Sequence, residues 1–286
     1  FCVEFYLCNS DWPQNNLKAF KPTYEGGRFR FVLYDLDGMD WTSDPFNTFA
    51  NKKTYTFDNL LGVVSGRYTK EIEIVTIFLN MLNNAEFRKQ FIDTFCLVAG
   101  SIFEPTRCKS IINDIAKNAE KVMREASGSP WNTANDVMNK LSTSRQNTQL
   151  NNLKSYTRMK LSDVAHIFTK FSTDTEGAKI YLNNIPVPTG KFNGRVYVPA
   201  VLRAEAPAGY RFTGWKDDKG NIVSESDEYE YPKSSSGTIT LVASFEKITD
   251  EEMLAQGITP VRINEISASN DIYINDYFKK EDWIEL

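Results

Sequence analysis

Two tracts decide how this chain is read: Asn9-Ser10-Asp11-Trp12-Pro13-Gln14-Asn15-Asn16 and, further on, Phe29-Arg30-Phe31-Val32-Leu33-Tyr34-Asp35-Leu36-Asp37-Gly38. The first separates Asp11 and Asn16 by four residues, so a short loop leaving a helix delivers a carboxylate and an amide oxygen from one segment. The second is an apolar run, Phe29–Tyr34, that reads as a buried strand ending in Asp35-x-Asp37. Carboxylates released at the end of such a strand are well placed as hard oxygen ligands of a divalent cation. Asp and Asn also make ordinary turns. The two tracts in order, with a strand between them, argue for a site over two unrelated turns.

The rest of the chain narrows the chemistry. Its 286 residues hold 33 Lys plus Arg against 37 Asp plus Glu, a formal net charge of −4. With 41% hydrophobic and 24% charged residues it is an ordinary globular composition, which excludes general disorder and collagen-like or coiled-coil arrays. A sequence pI of about 5.3 gives no broad basic surface for nucleic acid or anionic lipid. The single histidine, His166, excludes multi-histidine zinc sites and leaves one partner for any Ser-His or Cys-His pair. Its neighbours Val164, Ala165, Ile167 and Phe168 mark a packed or surface histidine on a helix. Cys2, Cys8, Cys96 and Cys108 form no CxxC motif and read as buried thiols; an oxidising compartment would allow a Cys96–Cys108 bridge. No stretch approaches the ~20 apolar residues of a membrane span. Phe1–Leu7 and Asp282–Leu286 read as structured elements, so both ends are expected to fall inside domains.

The hydrophobic period changes along the chain. Residues 1–171 are mainly helical. Glu71–Asn83 aligns Ile72, Val75, Phe78, Leu79 and Leu82, and Asn83 followed by Glu86 has the form of a capping box. Phe87, Phe91, Phe95, Val98 and Ile102 form the next stripe. A third helix opens at Pro105 and carries Cys108, Ile111, Ile112, Ile115, Ala119 and Val122, all expected in the core. Leu150–Phe171 reads as a fourth, more polar helix, and the amide-rich run Arg145–Asn152 as a solvated loop. Residues 172–247 switch to period two, with strands over Lys179–Leu182, Arg195–Glu205, Tyr210–Trp215, Glu228–Tyr231 and Thr238–Phe245. Residues 248–262 form a charged helical connector. Ile263–Ala268 and Trp283–Leu286 are two more strand-like runs.

An Asp-x₄-Asn spacing is that of the catalytic loop of protein kinases, where an acceptor-only carboxylate orients the attacking hydroxyl and a nearby oxygen ligand holds Mg²⁺. Four tracts in order sharpen this: Asn9 through Lys18, Leu33–Asp37, the Asn84, Phe87, Arg88 and Phe91 pattern, and Phe103-x-x-x-Arg107. Over roughly residues 1–170 the chain resembles the CotH-like (spore coat protein H) family of atypical protein kinases. The resemblance implies Asp11 as the catalytic Asp and Asn16 and Asp35 as Mg²⁺ and nucleotide ligands. It implies Asp37 as a weaker metal candidate and Lys18 as a charge-neutralising residue at the phosphate. It also implies ATP and Mg²⁺ as cofactors of the parent protein, a Ser/Thr-bearing protein substrate, and an extracytoplasmic, secreted or surface location.

The family takes its nucleotide-gripping lysine, partner glutamate and phosphate-covering loop from sequence preceding this tract, and no Gly-rich loop or P-loop occurs in the chain. Little kinase activity is therefore expected of these residues alone. Gly38-Met39-Asp40-Trp41 also departs from the aromatic-containing turn common in the family. A rival reading takes Val32–Gly38 as the hhhDxDG motif of haloacid-dehalogenase-type phosphatases, with Asp35 as Mg²⁺-assisted nucleophile and Asp37 as general acid. It requires alternating strands and helices downstream. Ala204–Trp215 resembles a tract of small bacterial surface β modules, its aromatics packing the strand or stacking on carbohydrate. Trp12, Trp41 and Trp131 are either groove-lining or anchoring. Ile263–Asn270 with Asp282–Leu286 looks like the opening of a lamin-tail-type domain.

The resulting expectation is an α+β protein: a helical kinase-like C-lobe over 1–171, a small antiparallel β module over 172–247, and a linker with a truncated β segment over 248–286. A non-catalytic adhesion or glycan-binding protein is the other class that stays open.

Overall fold

The computed structural model describes residues 1–9, 12–13, 16–36, 54–56, 69–71, 73–125, 129–255, 257, 265–267 and 283–285. The architecture is α+β, with a helical lobe packed on a two-sheet β unit. Helix α1 (Cys2–Leu7) leads through a loop to a two-stranded antiparallel ribbon, β1 (Lys18–Phe20) and β2 (Arg30–Val32). A second short ribbon pairs β3 (Thr54–Thr56) with β4 (Thr69–Glu71). Helices α2 (Glu73–Met81), α3 (Ala85–Leu97), α4 (Pro105–Glu125), α5 (Pro130–Lys140) and α6 (Thr143–Ser155) then build the lobe.

The lobe's core is aromatic. Phe5, Trp12, Phe78, Phe91 and Phe95 are buried, and Phe5 meets Trp12 edge-on at 6.0 Å and Phe78 at 5.4 Å. Such rings bury large apolar areas and prefer tilted contacts. Asn84 caps α3, its side chain accepting from the Phe87 N–H at 2.9 Å, one residue beyond the expected cap at Asn83. Helix α3 runs into a π-helical turn, Val98–Ile102, and Pro105 opens α4. The stripe on α4 is only partly core. Cys108 and Ala116 are buried and Ile112 half-buried, but Ile111, Ile115 and Val122 stay exposed, because the apolar residues span more than the face that α5 and the lobe cover.

Two expectations fail at the end of the lobe. The fourth helix does not reach Phe171: α6 ends at Ser155, a 3₁₀ turn covers Thr157–Met159, and β5 (His166–Thr173) is a strand. Its burial alternates strictly from Ile167 to Phe171, a period-two signal that the apolar cluster around His166 obscures. Arg145–Asn152 is no solvated loop; it lies within α6, and Arg145, Gln146 and Gln149 are buried.

The β unit has two sheets. Strands β6 (Lys179–Leu182), β7 (Ile185–Pro186), β8 (Phe192–Tyr197), β9 (Val201–Glu205), β10 (Tyr210–Lys216), β11 (Ile222–Ser224), β12 (Glu228–Glu230) and β13 (Ile239–Lys247) follow β5. They form one sheet ordered β11-β10-β13-β5-β8 and another ordered β12-β9-β6-β7. The run expected as one strand over Arg195–Glu205 is thus two, β8 and β9, lying in different sheets. Ile167, Phe171, Val196, Trp215 and Leu241 from the first sheet share a core with Ile180, Leu182, Leu202 and Ala204 from the second. Trp215 is 0% exposed and donates its indole N–H to the Asp227 carbonyl at 3.2 Å, which leaves no ring face for a sugar. After β13 come α7 (Asp250–Ala255) and an antiparallel pair, β14 (Glu265–Ser267) with β15 (Trp283–Glu285), where the two C-terminal strands are expected.

Polar bridges fasten the β unit to the lobe. Gln146 donates to the Ala99 carbonyl at 2.9 Å and the Asn193 carbonyl at 3.0 Å. Asn183 donates to Asp93 at 2.9 Å, and Arg195 to Asn151 at 3.1 Å. At the same seam Gly100 lies under Phe192, where an added Cβ would stand 2.5 Å from the ring.

Candidate functional site

The site is built where the loop after α1 meets the end of β2. Helix α1 ends at Cys8 in the left-handed conformation (φ 55°), and the backbone turns so that the Asn9 N–H bonds back to the Glu4 carbonyl at 3.1 Å. Trp12 is buried among Phe1 and Phe5 and anchors the loop from beneath, an anchoring role and not a groove-lining one. Trp131 is half-buried at the start of α5, and Trp41 lies outside the described residues. The β1–β2 ribbon then carries the chain back, with Lys18 opposite Val32.

Asp35 follows the ribbon and is itself left-handed, φ 55°. A non-glycine residue pays for that conformation, although Asp and Asn tolerate it best. Two buried amides hold it: Asn9 and Asn16 each donate Nδ2–H to the Asp35 carbonyl at 3.3 Å. Asn9 also donates to the Glu4 carboxylate at 3.0 Å. Glu4 is 5% exposed, and burial raises its pKa above the ordinary glutamate value, opposed by the Asn9 hydrogen bond. The exposed Asp35 residue thus rests on a backbone pinned from below. With its Nδ2 committed to Asp35, Asn16 has only Oδ1 left to offer a cation.

The structure therefore joins two of the five residues singled out in the sequence and sets a third, Lys18, beside the residue before Asp35. Asn16 and Asp35 are hydrogen-bonded, and Lys18 places Nζ 4.6 Å from the ring centroid of Tyr34, the residue before Asp35. Asp11 and Asp37 lie outside the described residues. The strand leading to Asp35 is not buried as expected. Phe29, Phe31, Val32 and Leu33 are 71%, 54%, 41% and 51% exposed, because the ribbon has no second layer of described residues over it. Sequence reasoning missed Glu4 and gave Asn9 no role. A lone carboxylate within the apolar run Phe1–Cys8 was the available signal, since a buried acid demands a partner.

Among the described residues no group of three or more His, Cys, Asp or Glu forms a metal cage. That does not conflict with the donor chemistry present, because Mg²⁺ is commonly held by one or two protein oxygens, with phosphate and water supplying the rest. The phosphatase alternative fits less well: β2 ends an antiparallel two-stranded ribbon, and consecutive helices follow, where that chemistry uses alternating strands and helices. The four cysteines are free thiols, three of them buried, so no Cys96–Cys108 bridge is present. His166 opens β5 with its ring against Phe168 and Tyr197. No described helix is long and apolar enough to cross a membrane.

No curated protein and no solved structure gives a significant match to the chain. The family model described as CotH kinase protein matches residues 1–162, a span that takes in α1 to α6 and stops just short of β5. That span is more than half of the chain and contains every residue of the Asn9–Asn16–Asp35 constellation, and on that footing the chain belongs to the CotH kinase family.

Proposed function

We propose that the chain supplies the catalytic lobe of an extracytoplasmic kinase that transfers phosphate from ATP to Ser or Thr of a protein. The observation that carries this reading is the double amide clamp on the Asp35 carbonyl, which holds the backbone of an exposed aspartate next to Asn16. In this reading Asp11 orients the substrate hydroxyl, Asn16 Oδ1 and the Asp35 carboxylate hold Mg²⁺, and Asp37 is a further ligand. Lys18 offsets phosphate charge from across the ribbon. Bound Mg²⁺ would neutralise phosphate oxygens during transfer. Family membership supports ATP and a divalent metal in general terms. The β unit as a surface module, and β14–β15 as the opening of a lamin-tail-type domain, belong to the same proposal.

Thermal unfolding of the full protein with Mg²⁺ and ATP tests it. The expected result is a rise in Tm that needs both components and disappears in Asp35→Ala and in Asn16→Ala, while Lys233→Gln, on a distant loop, keeps it. A shift retained in Asp35→Ala sinks the assignment. Binding of sugars in place of nucleotide would instead support an adhesion protein, although the burial of Trp215 removes the aromatic platform that reading would use.

A further inference from the structure

Between the lobe and the β unit lies an open cavity of about 750 Å³ that shares no residue with the Asp35 site. One wall is the start of α4, with Arg107 and Ser110; the other is sheet, where Thr240, Lys170 and Asn193 sit side by side in register across β13, β5 and β8. Lys191 stands at the seam, and Ile111, exposed on α4, adds apolar lining. Among the described residues that line it Glu104 is the one carboxylate, and both its oxygens are engaged, accepting from the Arg107 backbone N–H at 2.8 Å and from Asn193 Nδ2 at 3.3 Å. Arg107 donates to the Ile102 carbonyl at 2.6 Å. None of Arg107, Lys170 and Lys191 pairs with a carboxylate side chain among the described residues.

We propose that this cavity is a binding site for a small organic phosphate monoester. Three cations against one carboxylate leave a local positive surplus inside a chain whose formal net charge is −4. A phosphate monoester, close to a dianion at neutral pH, matches that surplus better than a monoanionic carboxylate. The guanidinium and two ammonium groups suit phosphate oxygens, and hydroxyls such as Ser110 add donors without charge. The apolar lining receives the organic body, and the volume falls in the ~300–1,000 Å³ range of small-molecule sites, which favour domain interfaces.

The test is a calorimetric and ³¹P NMR titration of the full protein with glucose 6-phosphate, O-phosphoserine and inorganic phosphate. It is run in EDTA and in an Asp35→Ala background, so that its outcome is independent of the kinase reading. The expected result is saturable binding of at least one ester, tighter than inorganic phosphate, with Kd on the order of 1 mM or below. Lys170→Gln/Lys191→Gln should weaken it about tenfold or more, and Lys233→Gln should not. Both replaced lysines are exposed, so the fold tolerates the change. No saturation by about 20 mM, or binding that the double variant leaves intact, overturns the proposal.

Discussion

Replacing Gly100 by alanine tests the seam between lobe and β unit through the sign of its effect. Gly100 lies in the π-helical turn, where alanine is ordinarily favoured by about 0.5–1 kcal/mol because glycine loses more backbone freedom on folding. The packing predicts the opposite. The new Cβ would meet Phe192 Cε2 at 2.5 Å, Cζ at 2.7 Å and Cδ2 at 2.9 Å, roughly 1 Å inside ordinary carbon–carbon contact. The ring has no free side to retreat to: Phe192 is 3% exposed and stacks on Phe171 at 4.8 Å and 7°. Overpacking of this kind costs about 1–3 kcal/mol, so the net effect is a loss of up to about 2.5 kcal/mol. Phe192→Leu removes Cε2 and Cζ while keeping an apolar wall. In that background Gly100→Ala should become neutral or stabilising, a coupling of about 1–2 kcal/mol or more in a double-mutant cycle. Urea unfolding of the four proteins reads all of this. A stabilised Gly100→Ala, or costs that add within about 0.5 kcal/mol, would refute a close-packed seam.

Gln146→Leu should lower stability by about 2 kcal/mol or more in the same assay, since it leaves the Ala99 and Asn193 carbonyls without this donor. Burial pushes the Cys2 thiol up to about 12 and raises Cys96 and Cys108 as well, so disulfide-exchange reagents at pH 8 should find little thiolate at these three until denaturant is added. Fast native labelling of Cys96 contradicts that picture. For Glu4, burial raises the folded pKa above the unfolded value, so the folded state holds the proton more tightly. Its contribution is fully present below the unfolded pKa and is lost as pH rises through the folded one. Glu4→Gln should therefore gain stability relative to the parent chain as pH climbs through the window above 4.5, and a stability difference constant with pH refutes the assignment.

The parts of the fold that were legible in the sequence are those where one physical term dominates. The apolar stripe of Phe87, Phe91 and Phe95 fixed α3, and Pro105 fixed the start of α4, because burial and a missing N–H each act locally. Strand β6 was readable to the residue, since Gly, Asn and Pro punctuate it on both sides. The failures share a cause. The amides of Arg145–Asn152 look like a surface run because isolated Gln and Asn prefer water, yet here α6 uses Gln146 to satisfy two carbonyls across a seam that no local window contains. The strand over His166–Thr173 was absorbed into a helix because its partners, β8 and β13, lie further along the chain.

The same distinction governs the site. The carboxylate of Asp35 and the amide of Asn16 were visible as residue types, but nothing in their spacing says that Asn16 donates its Nδ2–H to the backbone of Asp35 and so keeps Oδ1 as its one atom for a cation. Nor does it say that Asn9 does the same while tied to the buried Glu4. A left-handed aspartate without such a clamp would relax toward ordinary backbone angles and carry its carboxylate with it. Asn9→Ala separates positioning from ligation, because Asn9 lends Asp35 a hydrogen bond and is assigned no contact with the cation. If the clamp sets the carboxylate, Asn9→Ala should weaken Mn²⁺ binding, read by water-proton relaxation, about five- to tenfold, the worth of one such hydrogen bond. Asp35→Ala should abolish it. Unchanged Mn²⁺ affinity in Asn9→Ala would mean that the loop, and not the amide, holds Asp35 in place.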